Sequence, residues 1–467
     1  MFYKLKPQYM LRGWKLLPTG LINRETRKFR FLPGKKFDVL KMCTGILDSQ
    51  SFLFNDEQRK IMEELRADGY VDANENPSLI EDGQDYKFYD NRFMQSAHWA
   101  ITGKCNCRCR HCYMSAPQHK VEELTHEQCM DIIAQMADCG IQTVSLTGGE
   151  VLVRKDFWEI IDALTAADIK ISSILTNGLL VNENFIAELE RRNLRPQIQI
   201  SFDGVNGCHD WVRGVAGAEQ LVYRALELLH EKNFYVKISF SLHRDNAPYL
   251  RETVNKMASF GVRYFCVTAI TDCGEASGMT DKILSTDERY DICLDYIPQY
   301  IEDGAPLPLN LSALFEAENT SEYSIPLVRT CQGGNIDKRF VCYSMRNAIY
   351  IDFDGVVVPC PPISIDDSSK KIFSRIFDKP LKELLNDGAY MKFINTRLGD
   401  YFAANPQCAA CEYKNRCASG CRGNAMEKNR DGNLLGVDKD TCKFFKGGYY
   451  DKVIALGEKL HLKRIGA

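Results

Sequence analysis

The chain has 467 residues, 45% of them hydrophobic and 26% charged, with a net charge of −3. That length exceeds one simple domain and suggests about three. The balance is that of a soluble globular protein, and the slight acidity argues against a nucleic-acid binder. No uncharged apolar run is long enough to span a bilayer. The N-terminus, MFYKLKPQYMLRGWKLL, lacks the apolar stretch and small-residue cleavage site of a signal peptide, so a cytoplasmic protein with no membrane partner is expected.

Taken in chain order, residues 1–90 open with short alternating segments, YKLKPQYMLRGW and GLINRETRKFRFL. Helical patterns follow at KKFDVLKMC and DEQRKIMEELRADGYV. In the second, Ile61, Leu65 and Tyr70 share a face, with Asn55 or Asp56 as N-cap. The polar stretch DANENPSLIEDGQD marks a boundary. Residues 91–275 then repeat strand–helix units. The candidate strands are HWAITG, QTVSLTGG, IKISSILTNG, PQIQISFDG, YVKISFSLH and RYFCVTAI, with helices such as HEQCMDIIAQMADCG and NFIAELERRNL between them. This alternation predicts an α/β fold, a parallel sheet with right-handed crossovers. Six units predict an open (β/α)6 barrel, a partial TIM barrel, with its chemistry at the C-terminal strand ends. Residues 276–330 form a connector with one helix, STDERYDICLDYIPQYIEDG, capped by Ser285 or Thr286. Residues 331–467 are cysteine-rich with few long periodic segments, the pattern of a domain held by metal.

The cysteines are the anomaly, 19 in a long chain with no secretory signal. Disulfide scaffolds are usually short and secreted, so regular spacings read here as metal ligands. The string CNCRCRHC places Cys105, Cys109 and Cys112 in C-x3-C-x2-C spacing after the first barrel strand. Three thiolates hold three irons of a [4Fe–4S] cubane and leave the fourth open for an exchangeable ligand. The alternative is a zinc site with Cys107 or His111 as fourth ligand. In the C-terminal region the pattern is Cys331-x10-Cys342-x12-Gly355-x4-Cys360, then Cys408-x2-Cys411-x5-Cys417-x3-Cys421, then Cys442. Eight cysteines suffice for two four-cysteine sites, either iron–sulfur clusters or zinc ribbons. Cys107, Cys43, Cys129, Cys139, Cys208, Cys266, Cys273 and Cys293 lack such spacing and read as small buried apolar residues.

The C-x3-C-x2-C string at the first strand and TGGE at the end of the second resemble the radical SAM superfamily over about residues 95–275. The resemblance implies that S-adenosylmethionine chelates the open iron and that Gly148, Gly149 and Glu150 hold its methionine amine; Val151 stands where the family often has Pro. It also implies that His111 lies near the adenine, and that Asn177, Ser201 and Asp203 contact the nucleoside. As residues alone, Asn177-Gly178 and Asp203-Gly204 also read as simple turns. The C-terminal spacing resembles the SPASM extension of such enzymes. That implies one auxiliary cluster on Cys331, Cys342, Cys360 and Cys421 and a second on Cys408, Cys411, Cys417 and Cys442, three [4Fe–4S] clusters in all.

The chemistry implied is hydrogen-atom abstraction by a 5′-deoxyadenosyl radical, with electrons from a donor such as flavodoxin or ferredoxin. SPASM enzymes mostly modify peptides. The short strands and helices of residues 1–90 resemble the winged-helix-like α+β domain that binds leader peptides in ribosomal-peptide maturases, where a leader adds a strand to a sheet edge. A cap without a binding role is the alternative. The resulting expectation is a maturase acting on the leader and core of a precursor peptide, forming a thioether or carbon–carbon cross-link. Anaerobic sulfatase maturases are the rival; their acidic residue after the Gly-x4-Cys cysteine is replaced here by Pro361 and Pro362. A non-catalytic zinc-stabilised interaction protein is the third reading. No catalytic acid or base is evident: Asp210 and Arg213 either face the site or form a surface ion pair.

Overall fold

Six parallel strands carry the middle of the chain: β1 (Ser96–Thr102), β2 (Thr143–Gly148), β3 (Lys170–Thr176), β4 (Gln197–Ser201), β5 (Val236–Leu242) and β6 (Tyr264–Ala269). They are ordered β1 to β6 across the sheet, each paired in parallel with the next. The computed structural model describes residues 1–116, 122–329, 334–365 and 367–466. Helices follow most strands and cover the outer face, among them His126–Asp138, Phe157–Ala166 and Ala218–Glu231. Thr125 and Ser285 start their helices with full capping boxes, to Gln128 and Glu288.

Alternation decides what each strand presents. In β5, Val236, Ile238, Phe240 and Leu242 are buried in the core. Ser239 and Ser241, between them, face the opposite side and line the barrel's cavity. The sheet does not stop at six strands. Leu309–Leu311 pairs parallel with β6, and Phe315–Ala317 closes that edge antiparallel. At the other edge Ala348–Ile351 pairs parallel with β1, and Val357–Val358 pairs antiparallel with it. The cysteine-rich region is therefore stitched to the first barrel strand by backbone hydrogen bonds.

The N-terminal region holds more sheet than the sequence suggests: seven strands precede β1. Phe2–Leu5 is central in a three-stranded antiparallel sheet, between Thr44–Asp48 and Val71–Asn74. A four-stranded sheet is built from Phe29–Phe31, Leu17–Asn23, Tyr9–Lys15 and Lys87–Arg92. Asn55 caps the helix Asp56–Ala67, whose buried face is Met62 and Leu65 with Tyr70 just beyond its end; Ile61 is half-buried. Trp14, fully buried, donates from Nε1 to the Cys139 carbonyl at 3.1 Å, and Asn91 Nδ2 donates to the same oxygen at 3.0 Å. Gly140 has φ +73°, and a Cβ there would lie 2.6 Å from Tyr89. Only glycine fits where this domain meets the barrel.

Among the described residues, no helix is long and apolar enough to cross a membrane.

Candidate active site

At the C-terminal ends of the strands lies a cavity of about 390 Å³, within the range of small-molecule sites. Cys105, Cys109 and Cys112 line it together, and so does Cys107. Gly148, Gly149, Asn177, Ser201 and His111 share the same wall. Thr147, Gln199, Ser239, Ser241 and Thr268, all on strands, make the floor polar without charge.

The thiol-bearing loop is pinned from below. The last turn of the helix Cys208–Arg213 points its carbonyls at it: Arg108 N–H donates to Arg213 O at 3.1 Å and Arg110 N–H to Val212 O at 2.8 Å. Arg213 is buried, and its guanidinium donates to Cys109 Sγ at 3.5 Å while pairing with the Asp203 carboxylate at 2.7 Å. Burial opposes ionisation of Asp203, but the Arg213 guanidinium overrides it and holds the carboxyl well below the usual range. Asp203 Oδ1 also accepts from Ser241 N–H at 2.9 Å. His209 Nδ1 accepts from the Asp203 N–H at 3.1 Å, and burial pushes this imidazole down to about 3. Cys109 is held down to about 5, by a hydrogen bond from Cys107 first and by Arg213 beyond that. A thiolate-forming site with a fixed cation beside it suits metal ligation. His111 Nδ1 is buried without a partner and lines the cavity, so a bound ligand finds a free ring nitrogen there.

Gly148 and Gly149 act on the loop. A Cβ on Gly149 would lie 2.3 Å from the Lys104 carbonyl, and one on Gly148 2.4 Å from that of Thr102. With glycine at 148 and 149 the strands approach closely, and the Gly149 and Glu150 N–H groups donate to Thr102 O at 2.9 Å and Lys104 O at 2.8 Å. The end of β2 is thereby laid against the cysteine loop.

Two residues expected to touch ligand also hold the ends of the strands together. The Glu150 carboxylate is buried, accepting from Thr176 Oγ1 at 2.8 Å, Asn177 N–H at 2.6 Å and Leu152 N–H at 3.1 Å. Burial raises its pKa despite those donors. It ties the end of β2 to the end of β3. Asp203 is likewise buried, bonded to Arg213 and β5. Asn177 Nδ2 does reach the thiols, 3.2 Å from Cys107 Sγ and 3.9 Å from Cys105 Sγ.

Sequence reasoning missed Glu427. It is buried on the helix Arg422–Asn429, directly after Cys421, and lines the cavity from the C-terminal region. Burial raises its carboxyl, opposed by a hydrogen bond to Thr271. Among the described residues lining the cavity it is the one carboxylate. A lone Glu on a short helix carries no signal in sequence; only the packing of two domains places it. The Asp210–Arg213 question is settled by geometry. Arg213 faces the site, and Asp210 accepts from Gly217 and Glu219 N–H at 2.6 and 2.7 Å, capping the next helix.

In the C-terminal region Cys408, Cys411, Cys417 and Cys442 line one cavity of about 70 Å³ with aromatic walls, Tyr401, Phe402, Tyr413 and Phe445. Cys360 is held far above an ordinary thiol by burial and by Cys421 and Cys342 nearby. Those three form a second group; Cys331, expected with them, lies outside the described residues. Asp438 joins the groups. Its carboxylate accepts from Cys421 N–H at 2.7 Å, Asn424 Nδ2 at 2.6 Å, and Thr441 Oγ1 and N–H at 2.5 and 3.2 Å, next to Cys442. Among the described residues no Cys, His, Asp or Glu group closes around a single ion. The thiols ring open volumes instead, which suits a multi-atom cluster better than one tetrahedral zinc.

Of the remaining cysteines, Cys43, Cys129, Cys139, Cys273 and Cys293 are buried, and Cys208 and Cys266 half-buried. Burial pushes Cys129 up to about 11 and Cys43, Cys139 and Cys293 to about 12, values of inert thiols.

Comparison with known proteins fits this geometry. Residues 99–257 match the radical SAM superfamily, and residues 342–412 match the SPASM iron–sulfur cluster-binding domain. The mycofactocin maturase MftC of Mycolicibacterium smegmatis is 28% identical over 330 residues, 69% of this chain and 76% of that protein. The AdoMet-dependent heme synthase of Oleidesulfovibrio alaskensis is 23% identical over 333 residues, 69% of this chain and 81% of that one. The structure of Streptococcus suis SuiB bound to precursor peptide SuiA aligns with a TM-score of 0.66 at 15% identity, covering 94% of this chain and 100% of that one. The chain thus carries a radical SAM domain over residues 99–257 and a SPASM iron–sulfur cluster-binding domain over residues 342–412.

Proposed function

We propose that this enzyme matures a ribosomally made precursor peptide, removing hydrogen from its core to form a thioether or carbon–carbon cross-link. The observation that carries the reading is the pairing, in one chain, of a thiol-lined cavity at the strand ends with an N-terminal two-sheet domain. Val71–Asn74 and Phe29–Phe31 stand at sheet edges where a leader can add a strand. The resemblances to MftC and to peptide-bound SuiB support it. Pro361 after Cys360 leaves no acid there, which counts against the sulfatase-maturase alternative.

In this reading Cys105, Cys109 and Cys112 hold a [4Fe–4S] cluster with one open iron, and S-adenosylmethionine lies along Gly148, Gly149, His111, Asn177 and Ser201. Two auxiliary [4Fe–4S] clusters sit on Cys331, Cys342, Cys360 and Cys421, and on Cys408, Cys411, Cys417 and Cys442. When bound, these groups supply a 5′-deoxyadenosyl radical and an electron acceptor, with flavodoxin or ferredoxin as donor. The chain does the rest. Arg213 balances charge at Cys109. Glu150 fixes the ends of the second and third strands, and Asp203 fixes Arg213. Glu427, lining the cavity from the SPASM side, takes the proton that leaves with the second electron, from the attacking thiol in a thioether or from the attacked carbon in a carbon–carbon cross-link.

The experiment is anaerobic incubation with peptides encoded by neighbouring small reading frames, followed by mass spectrometry. A loss of about 2 Da per cross-link is expected. Iron near 12 per chain is expected for three cubanes. Unaltered peptides with a modified porphyrin or a formylglycine product instead would overturn the proposal.

A further inference from the structure

Cys109 lines two cavities. One is the site just described; the other, about 560 Å³, opens on the outer face of the same loop. The outer cavity is lined by Arg108, Arg110, Trp211 and Lys282, and by the carboxylates Glu275 and Asp281. Its wall also abuts Cys112, whose carbonyl accepts the Glu275 N–H at 2.9 Å. Cys109 is the residue common to both cavities.

The charges of this surface are unevenly spent. Lys282 is paired with Asp245 at 3.0 Å and Asp281 at 3.7 Å. Arg108 and Arg110 form no ion pair among the described residues. Arg110 donates from Nε to the Trp211 carbonyl at 3.0 Å and lies over the Trp211 ring at 4.8 Å, so its guanidinium is held in place without being neutralised. Trp211 is partly exposed beside it. Two exposed cations, one of them fixed on an exposed aromatic, on the outer face of a thiol loop fit an acidic partner that needs a short route to that loop.

We infer that the Arg108–Arg110–Trp211 surface is the docking site of an acidic one-electron donor protein, which passes an electron through the Cys109 wall. It rests on the reading of Cys105, Cys109 and Cys112 as a cluster. The donor is oxidised by one electron, the cluster is reduced by one, and no bond or proton is exchanged with the chain. Charge complementarity of this kind acts mainly on the rate of encounter and is lost with salt.

The test uses anaerobic holoenzyme and a reduced flavodoxin as probe, without substrate. Two quantities are read: the affinity of flavodoxin for the chain, and the rate of cluster reduction followed by absorbance and electron paramagnetic resonance. Arg108→Glu/Arg110→Glu should slow reduction by flavodoxin about tenfold or more and weaken binding. Reduction by dithionite, a small reductant needing no docking site, and iron content should not change. In the wild type, reduction by flavodoxin should slow as salt rises, since added salt screens exposed charge. Carbodiimide should cross-link flavodoxin carboxylates to Lys282, the lysine in the lining of this cavity. Unchanged flavodoxin kinetics in the double variant, or cross-links at Lys414 or Lys446 beside the four-cysteine cavity, overturn the assignment. If the double variant loses iron, Arg110→Gln and the wild-type cross-links decide the question. A wild type that binds no iron at Cys105, Cys109 and Cys112 overturns both the cluster reading and this one; dithionite then changes the same signals as in the Cys105→Ala/Cys109→Ala/Cys112→Ala variant.

Discussion

In the barrel, Trp99, Ile174, Ile200 and Phe240 are wholly buried in one continuous apolar core beneath helices of up to 14 residues. Around the second cysteine set, a separate core has five buried residues, Val341, Leu398, Tyr401, Phe402 and Ala418. The helices there, Pro406–Ala409 and Lys414–Cys417, span four residues each, too short to persist alone. One region has enough apolar surface to hold its thiols in place; the other needs its thiols, and what they bind, to hold it. The same residue is thus a passenger in the first region and a structural member in the second.

The largest expected effects set these regions apart. Cys105→Ala/Cys109→Ala/Cys112→Ala should abolish 5′-deoxyadenosine formation and leave barrel circular dichroism and thermal unfolding intact. Cys408→Ser/Cys411→Ser/Cys417→Ser/Cys442→Ser should expose residues 398–446 to limited proteolysis while the barrel resists. Equal loss of structure in both variants would break the contrast. Asp438→Ala should act like a mild form of the second. It strands the Cys421 and Thr441 N–H groups, costing about 1–3 kcal/mol for each buried donor left unmade.

Next in size is Glu427→Gln. It should leave 5′-deoxyadenosine formation near wild type and lower modified peptide per SAM cleaved by about 10²-fold, the lower bound for a lost general base. Glu427→Asp should recover part of the yield. Because burial raises the Glu427 carboxyl, the carboxylate is lost at a pH above the usual value near 4.3. Product yield should therefore fall as pH drops through that raised pKa, while SAM cleavage stays level. Parallel curves for both would remove Glu427 from the proton path.

Smaller, and a matter of stability, is Arg213→Met. It leaves the Asp203 carboxylate buried without its cation, a loss of about 3–5 kcal/mol. Asp203 has its pKa lowered on folding, so its contribution is complete above the unfolded value near 3.9 and fades as pH falls toward the lower folded one. The variant's deficit should shrink in acid, read by urea unfolding at pH 7 and pH 3. Arg213→Met/Asp203→Leu, which removes both charges, should recover much of the loss.

How much of this was legible beforehand depends on the range of the interaction. The six barrel strands could be read because each is a local alternation bounded by turn residues; the structure ends them within two residues of ILTNG, ISFDG and their kin. Ser285 and Asn55 signal helix starts through contacts three residues away. The cysteine groups were legible because ligand spacing survives in sequence. Arg213 stayed ambiguous because its partner, Asp203, lies ten positions back and the nearer Asp210 was the obvious choice. Glu150 read as a ligand contact alone, because its donors Thr176 and Asn177 arrive from another strand. Glu427 and the strand Ala348–Ile351 beside β1 depend on contacts more than 150 residues apart, where no periodicity reaches. The second N-terminal sheet was missed for the same reason: Lys87–Arg92 pairs with Tyr9–Lys15 across the helices that separate them.

The smallest effect concerns that N-terminal domain, whose core of Leu5, Phe37, Leu40, Leu65 and neighbours is separate from the barrel's. Trp14→Phe keeps the ring in contact with Tyr89 and Phe93 and deletes the Nε1 donor to Cys139. That carbonyl keeps its bond from Asn91, so no acceptor is stranded, and the cost should be about 1 kcal/mol. A domain with its own core does not need the barrel to fold, so the loss should fall on docking. Hydrogen exchange should speed at Cys139 and Gly140 and along Tyr9–Lys15, leaving the helix Asp56–Ala67 as protected as before. If that helix loosens equally, the N-terminal domain is an extension of the barrel core, and the two-way contrast between self-sufficient and thiol-dependent regions gains a third, dependent member.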